Sequence, residues 1–224
     1  IVVDKDASVN AIMDYLESGS SGNEIQLSAK IDKPQVTADE LNQITDVLGT
    51  ATTYYGSTYG RNTNVEVGAE KLNGILLMPG EEFSVTDAVV PFNAENGYEL
   101  APSYESGQVV DSYGGGICQV STTLYNALLQ AELQILERHN HTMIVTYVEP
   151  SMDAAIAEGL MDLRFANDTD YPIYIEGGAW GGALTFTIYG HETRPADRYV
   201  QYVSETLDSS TAEGVKLVPK YDQN

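Results

Sequence analysis

Residues 161–190 alternate between apolar and polar. "MDLRFAND" and "YPIYIEGG" flank the turn Asn167-Asp168-Thr169-Asp170, and "ALTFTIYG" follows Gly181-Gly182. Alternation with a period of two turns one face of a strand to a core and the other to water. Short turns between such runs join antiparallel neighbours. The tail therefore predicts a three-stranded antiparallel meander, and the chain must fold around an antiparallel sheet.

Helical patterns stand upstream, so the expected class is α+β. In "DKDASVNAIMDYLE", Val9, Ile12, Met13 and Leu16 fall at helical spacing. Asp4, Asp6 and Ser8 there touch a calcium-loop pattern, but Val9 stands where the turn needs Gly and Tyr15 where a bidentate Glu belongs. "NEIQLSAKIDKP" alternates like a strand and stops at Pro34. Thr37-Ala38-Asp39-Glu40 is a capping box, followed by Leu41, Ile44, Val47 and Leu48 as one amphipathic helix. "YYGSTYGRNTN" reads as a polar loop, Val65–Leu72 as a helix, and "ILLMPGEEFSV" as a strand broken by a Pro-Gly turn. Residues 92–112 carry turn signals, and "RHNHTMIVTYVEP" reads as a strand led by two histidines.

The chain holds 11 Lys plus Arg against 33 Asp plus Glu, a net charge of -22. That field repels nucleic acid and anionic membranes, so both are set aside as partners. No run of about twenty apolar residues could span a bilayer, and no signal peptide is visible. A start without Met reads as a piece cut from a longer protein. The single cysteine excludes internal disulfides, cysteine-cluster metal sites and C-x-x-C redox pairs.

That cysteine lies in "SYGGGICQVSTTLYNALL". After Cys118, Val120, Leu124, Ala127, Leu128 and Ala131 have helical spacing, so the thiol sits near a helix start. Free N–H groups and the helix dipole favour a thiolate there and offer an oxyanion site. Gly114, Gly115 and Gly116 allow positive φ and close approach of a substrate. A base is also needed, and His139 and His141 lie downstream; alternation lets only one of them face the thiol. Glu137 and Asp153 are candidate orienters, and Arg138 can hold a carboxylate. The plainer alternative is a packed thiol, since a lone cysteine is most often a small buried hydrophobe. Zinc through Cys118, His139 and His141 lacks a complete ligand set. His191 reads as a surface residue.

"LNGILLMPGEEFS", "GGGICQVSTTLYNALLQAEL", "ERHNHT…YV", "DAAI" and "DLRFANDTDYPIYI" together, in this order within residues 55–190, resemble the VanW family. "IQLSAKIDKPQVTADELNQ" resembles the end of a peptidoglycan-binding domain that often precedes it. The resemblance implies three parts: residues 1–45 as an α/β remainder of that domain, 46–203 as the VanW domain with an antiparallel sheet and a central helix starting at the cysteine, and 204–224 as a linker. It implies a secreted or membrane-anchored bacterial cell-wall protein acting on peptidoglycan stem peptides. The activity implied is L,D-transpeptidation without cofactor or metal, with Cys118 as nucleophile and His141 as the family histidine. Arg138 and Asp153 match further motif positions, and Asp153 completes the expected catalytic set. The expected oxyanion- and substrate-binding set is Gly114, Gly115, Gly116, Gln119, Ser121, Arg138 and His139. Two alternatives stay open: a non-catalytic wall-binding module, and a cysteine peptidase or L,D-carboxypeptidase on the same polymer.

Overall fold

The computed structural model describes residues 2–208 except 20, 23, 31–35, 57 and 106–107. The chain divides into two compact units, 1–42 and 43–224. In the first, strand β1 (Val2–Val3) pairs antiparallel with β2 (Ala29–Lys30). Between them runs helix α1 (Lys5–Glu17), whose cap is Asp4, accepting from the Ala7 N–H. The expected apolar stripe on α1 is exposed at Val9, Ile12, Met13 and Leu16. The capping box at Thr37 and Glu40 forms, but α2 (Ala38–Leu41) is a single turn. The expected strand stop at Pro34 and most of the expected linker lie outside the described residues.

The second unit begins with strand β3 (Asp46–Tyr54). Val47 and Leu48 belong to it and not to the α2 helix. Leu41, Ile44, Val47 and Leu48 fit helical spacing, but the β-branched run Thr50, Thr52 and Thr53 favours a strand. Hydroxyl pairs across to the neighbouring strand fix it, Thr52 with Thr185 at 2.8 Å and Thr50 with Thr187 at 3.2 Å. Helix α3 (Tyr59–Lys71) starts six residues before the expected Val65, because Thr58 caps it and draws the expected polar loop into its first turns. Strands β4 (Ile75–Leu77) and β5 (Glu82–Ser84) follow, split at the Pro-Gly turn as expected. Then come α4 (Val85–Val89), a 3-10 turn at Ala94–Asn96, and a hairpin of β6 (Leu100–Glu105) and β7 (Gln108–Tyr113).

The cysteine helix is α5 (Ile117–Gln130), followed by β8 (Gln134–Glu137), β9 (Arg164–Ala166), β10 (Ile173–Trp180) and β11 (Ala183–Gly190). The sheets are antiparallel, as expected for this α+β class. The main one has the order β3-β11-β10-β4. Gly181 and Gly182 join β10 to β11 with φ of +62° and +85°, the left-handed pair a two-residue hairpin needs. The meander is only two strands long: β9 leaves it and pairs with β5 and β8 in a second sheet. The histidine segment is not a strand either. Strand β8 ends at Glu137, and His139 makes only an isolated bridge to Ala155.

Leu124, Ala127 and Leu128 of α5 join Ile173, Ile175, Leu184, Phe186 and Ile188 of the main sheet in one buried core. Gly68 of α3 lets the helices touch, since a Cβ there would overlap Ile117 and Val120. The helix carrying the cysteine is thus clamped between a sheet and a second helix.

Candidate active site

Helix α5 begins at Gly116, with φ of +109°, and its N-cap makes no side-chain hydrogen bond. Helices α1, α2, α3 and α4 are all side-chain capped, by Asp4, Thr37, Thr58 and Ser84. Cys118 is the second residue of α5. The glycines before it admit the protein's own atoms at close range: Gly115 lies against the Ala101 carbonyl, and Gly116 against the Arg61 guanidinium. Gly114 takes φ of +81° beside the Phe92 ring.

Cys118 is partly buried against the core, and its thiol donates to the Ile156 carbonyl at 3.4 Å. Burial pushes the thiol pKa up, and the charge of Asp153 adds to that. A backbone hydrogen bond at Ile156 and the positive charge of Arg61 pull the other way without winning. Burial thus works against the thiolate expected at the helix N-terminus.

The segment after Ser151 docks along the first turns of α5. Ser121 donates to the Ala154 carbonyl at 2.6 Å, and the Ala154 N–H donates to Thr122 at 2.9 Å. Asp153 is thereby fixed beside the thiol's helix. Its carboxylate accepts from Arg138 Nη2 at 2.8 Å, from the His141 N–H at 2.7 Å, and lies 2.7 Å from His141 Nδ1. Burial would raise the Asp153 pKa, but the His141 contacts and Arg138 together hold it below the usual carboxylate range. Arg138 also donates to the Asp153 and Ser151 carbonyls and lies 5.6 Å from the Tyr125 ring centroid.

The two histidines part company here. The His141 side chain is 12% exposed and pairs with Asp153; the His139 side chain is 40% exposed and pairs with Glu137 at 2.9 Å. Gln119 and Ser121 are buried, with their hydrogen bonds inside the protein. Gln119 donates to Thr53 Oγ1 and the Tyr54 carbonyl, both at 2.9 Å, and accepts from Arg61 at 2.6 Å. Among the described residues, no group of three or more His, Cys, Asp or Glu side chains is placed to hold a metal.

The sequence model of the family described as "VanW like protein" matches residues 60–189, a span that contains every residue of this cluster from Arg61 to Ile156. The chain belongs to the VanW family. It is 37% identical over 161 residues to the uncharacterized protein YoaR of Bacillus subtilis, covering 71% of this chain and 53% of that protein. It is 34% identical over 120 residues to the vancomycin B-type resistance protein VanW of Enterococcus faecalis, covering 50% of this chain and 43% of that one. The chain spans about half the length of these curated relatives. No solved structure matches it.

Two residues of this VanW cluster escaped the sequence reading. Arg61, on the first turn of α3, reaches Gln119 and Gly116. Tyr147, partly buried beside Thr122, carries a phenol that burial pushes well above its ordinary pKa, so it stays neutral. A charged residue inside a polar stretch was the one signal for Arg61; for Tyr147 it was a place in the family block "ERHNHT…YV".

Proposed function

We propose that this VanW domain is a peptidoglycan L,D-transpeptidase of the bacterial cell envelope, forming 3–3 cross-links through a thioester on Cys118. The observation that carries the reading is the Arg138–Asp153–His141 chain, docked by Ala154 and Ile156 on the turn that bears the thiol. A cysteine held neutral by burial needs a base at the moment of attack. His141 has its Nδ1 side engaged by Asp153, which leaves Nε2 for the proton.

His141 takes the Cys118 proton as sulfur bonds to the carbonyl carbon of the third stem residue. Ile117 and Gln119 already donate their N–H groups to the Gly114 and Gly116 carbonyls, so the oxyanion rests on the Cys118 N–H. Collapse breaks the C–N bond, and the terminal D-Ala leaves with the proton from His141. The amine of a second stem then attacks the thioester, His141 takes its proton, and the protonated thiol is restored. Water in place of the amine makes the same site an L,D-carboxypeptidase. Among the described residues no helix is long and apolar enough to cross a membrane, so an envelope location rests on the family and the substrate.

One observation favours a rival. The sulfur is already bonded to Ile156 and packed on the core, as in a wall-binding module whose thiol only fills space. Incubation of the chain with disaccharide-tetrapeptides, read by mass spectrometry, separates the two. Transpeptidation gives cross-linked dimers that Cys118→Ala abolishes. Retention of the peptide with no covalent product contradicts the proposal.

A further inference from the structure

The chain has three acidic residues for each basic one, 33 against 11, so a guanidinium in it seldom lacks a carboxylate. Arg138 pairs with Asp153, Arg164 with Glu82, Arg194 with Glu192 and Glu132, and Arg198 with Glu132. Among the described residues Arg61 is the one arginine with no carboxylate within salt-bridge distance. It is not left loose. Its Nη2 donates at 2.6 Å to Gln119 Oε1, and that buried amide is pinned in turn by Thr53 and the Tyr54 carbonyl. The rest of the guanidinium lies over Gly116, two residues before the cysteine, where any Cβ would collide with Nη1. A neutral amide fixes the direction of the charge without neutralising it. That leaves the charge to be met by a carboxylate from outside, at the N–H groups that Gln119 does not take.

We propose that Arg61 is a specificity-determining residue that holds a carboxylate of the substrate beside the Cys118 sulfur. The inference rests on the cysteine-acyl reading above and names what that site selects: acyl donors with a free carboxylate one residue past the bond that breaks. In a tetrapeptide stem this is the C-terminal carboxylate of the departing residue, a few bonds from the carbonyl under attack. The positive charge of Arg61 acts on the Cys118 thiol, which places the two groups in one electrostatic neighbourhood.

The test needs no turnover. Cys118 in the native chain is alkylated with iodoacetate, an anion, and with neutral iodoacetamide. The thiolate attacks both reagents and displaces iodide from each, so the thiolate fraction cancels in the ratio of their rates. Arg61→Gln is expected to lower the iodoacetate-to-iodoacetamide ratio about fivefold, and Arg61→Lys to keep most of it, the size of one partly screened charge pair. Raising salt to about 1 M screens Arg61 and the net charge of -22 together, so the reading is the gap between the ratios of the unsubstituted chain and Arg61→Gln, which is expected to shrink. A ratio that ignores the substitution overturns the proposal. So does resistance of Cys118 to both reagents, because sulfur and guanidinium then share no space a carboxylate can enter. Loss of cross-linking activity with the ratio still dependent on Arg61 sinks the transpeptidase reading alone. Cross-linking with a ratio blind to Arg61 sinks this inference alone.

Discussion

Each end of α5 has an arginine beside it, and the two are treated in opposite ways. At the C-terminal end every available group is tied. Tyr202 donates to the Leu129 carbonyl and Arg194 to the Gln130 carbonyl, so carbonyls that the helix leaves over are capped by the strap 191–202. Arg194 also donates to the Leu48 carbonyl and pairs with Glu192 and Glu132, and Glu132 takes Arg198 as well. At the N-terminal end the cap is a glycine with no side chain, the nearby arginine has no carboxylate, and the thiol is held by one long hydrogen bond. Open cavities of about 580 and 680 Å³ flank the strap, not the cysteine. The arginines that face those cavities, Arg194 and Arg198, are paired with Glu132 and Glu192. On the proposed reading, one end of the helix is closed for stability and the other keeps the thiol for the acyl step.

Substitutions at the open end are expected to have the largest effects, on rate. His141→Ala should cost about 10²–10⁴-fold in cross-linking, the range of a general base, while His139→Ala should cost far less. Product formation by mass spectrometry checks the ranking, and equal losses would erase the distinction between the two histidines. At the closed end Arg194→Ala should leave the rate intact and cost about 1–3 kcal/mol of stability, because it strips two carbonyls and two carboxylates of their donor. Urea unfolding measures this; a fall in rate without a fall in stability would break the comparison.

The open end was legible in the sequence as far as its local parts went. Glycines ahead of a helical pattern located Cys118, and a carboxylate following two histidines supplied Asp153. What stayed hidden depends on packing between distant segments. Arg61 reaches the site only because Gly68 lets α3 lie on α5, which no local pattern records. The same limit explains the fold errors. The alternation of β9 was plain, but its choice of β5 and β8 over the β10 hairpin is a long-range pairing. Residues 41–48 satisfied a helical period, and only cross-strand threonines seated on β11 decide for a strand.

Smaller effects concern pH. Cys118 has its pKa raised by burial, so its alkylation by iodoacetamide should still be climbing above the ordinary thiol range near pH 8.5, where an activated thiolate would have levelled off. Asp153 at one end and Glu192 at the other are both held low, Glu192 at about 2 by its hydrogen bonds to Arg194. Each favours the folded state while ionised. Their contribution is complete above the unfolded carboxylate value near 4 and is lost as pH falls through the folded value. Melting temperatures measured from about pH 6 down to about pH 2 should decline, and Glu192→Gln should flatten part of that decline without touching the alkylation profile.

The most direct measurement is rapid-quench release of D-alanine from a disaccharide-tetrapeptide, with intact-mass detection of the protein in the same samples. A cysteine nucleophile predicts one D-alanine released per chain in a fast burst, with the remaining tripeptide acyl group on Cys118. Steady release with no burst and no adduct on the sulfur, undiminished in Cys118→Ala, would contradict it.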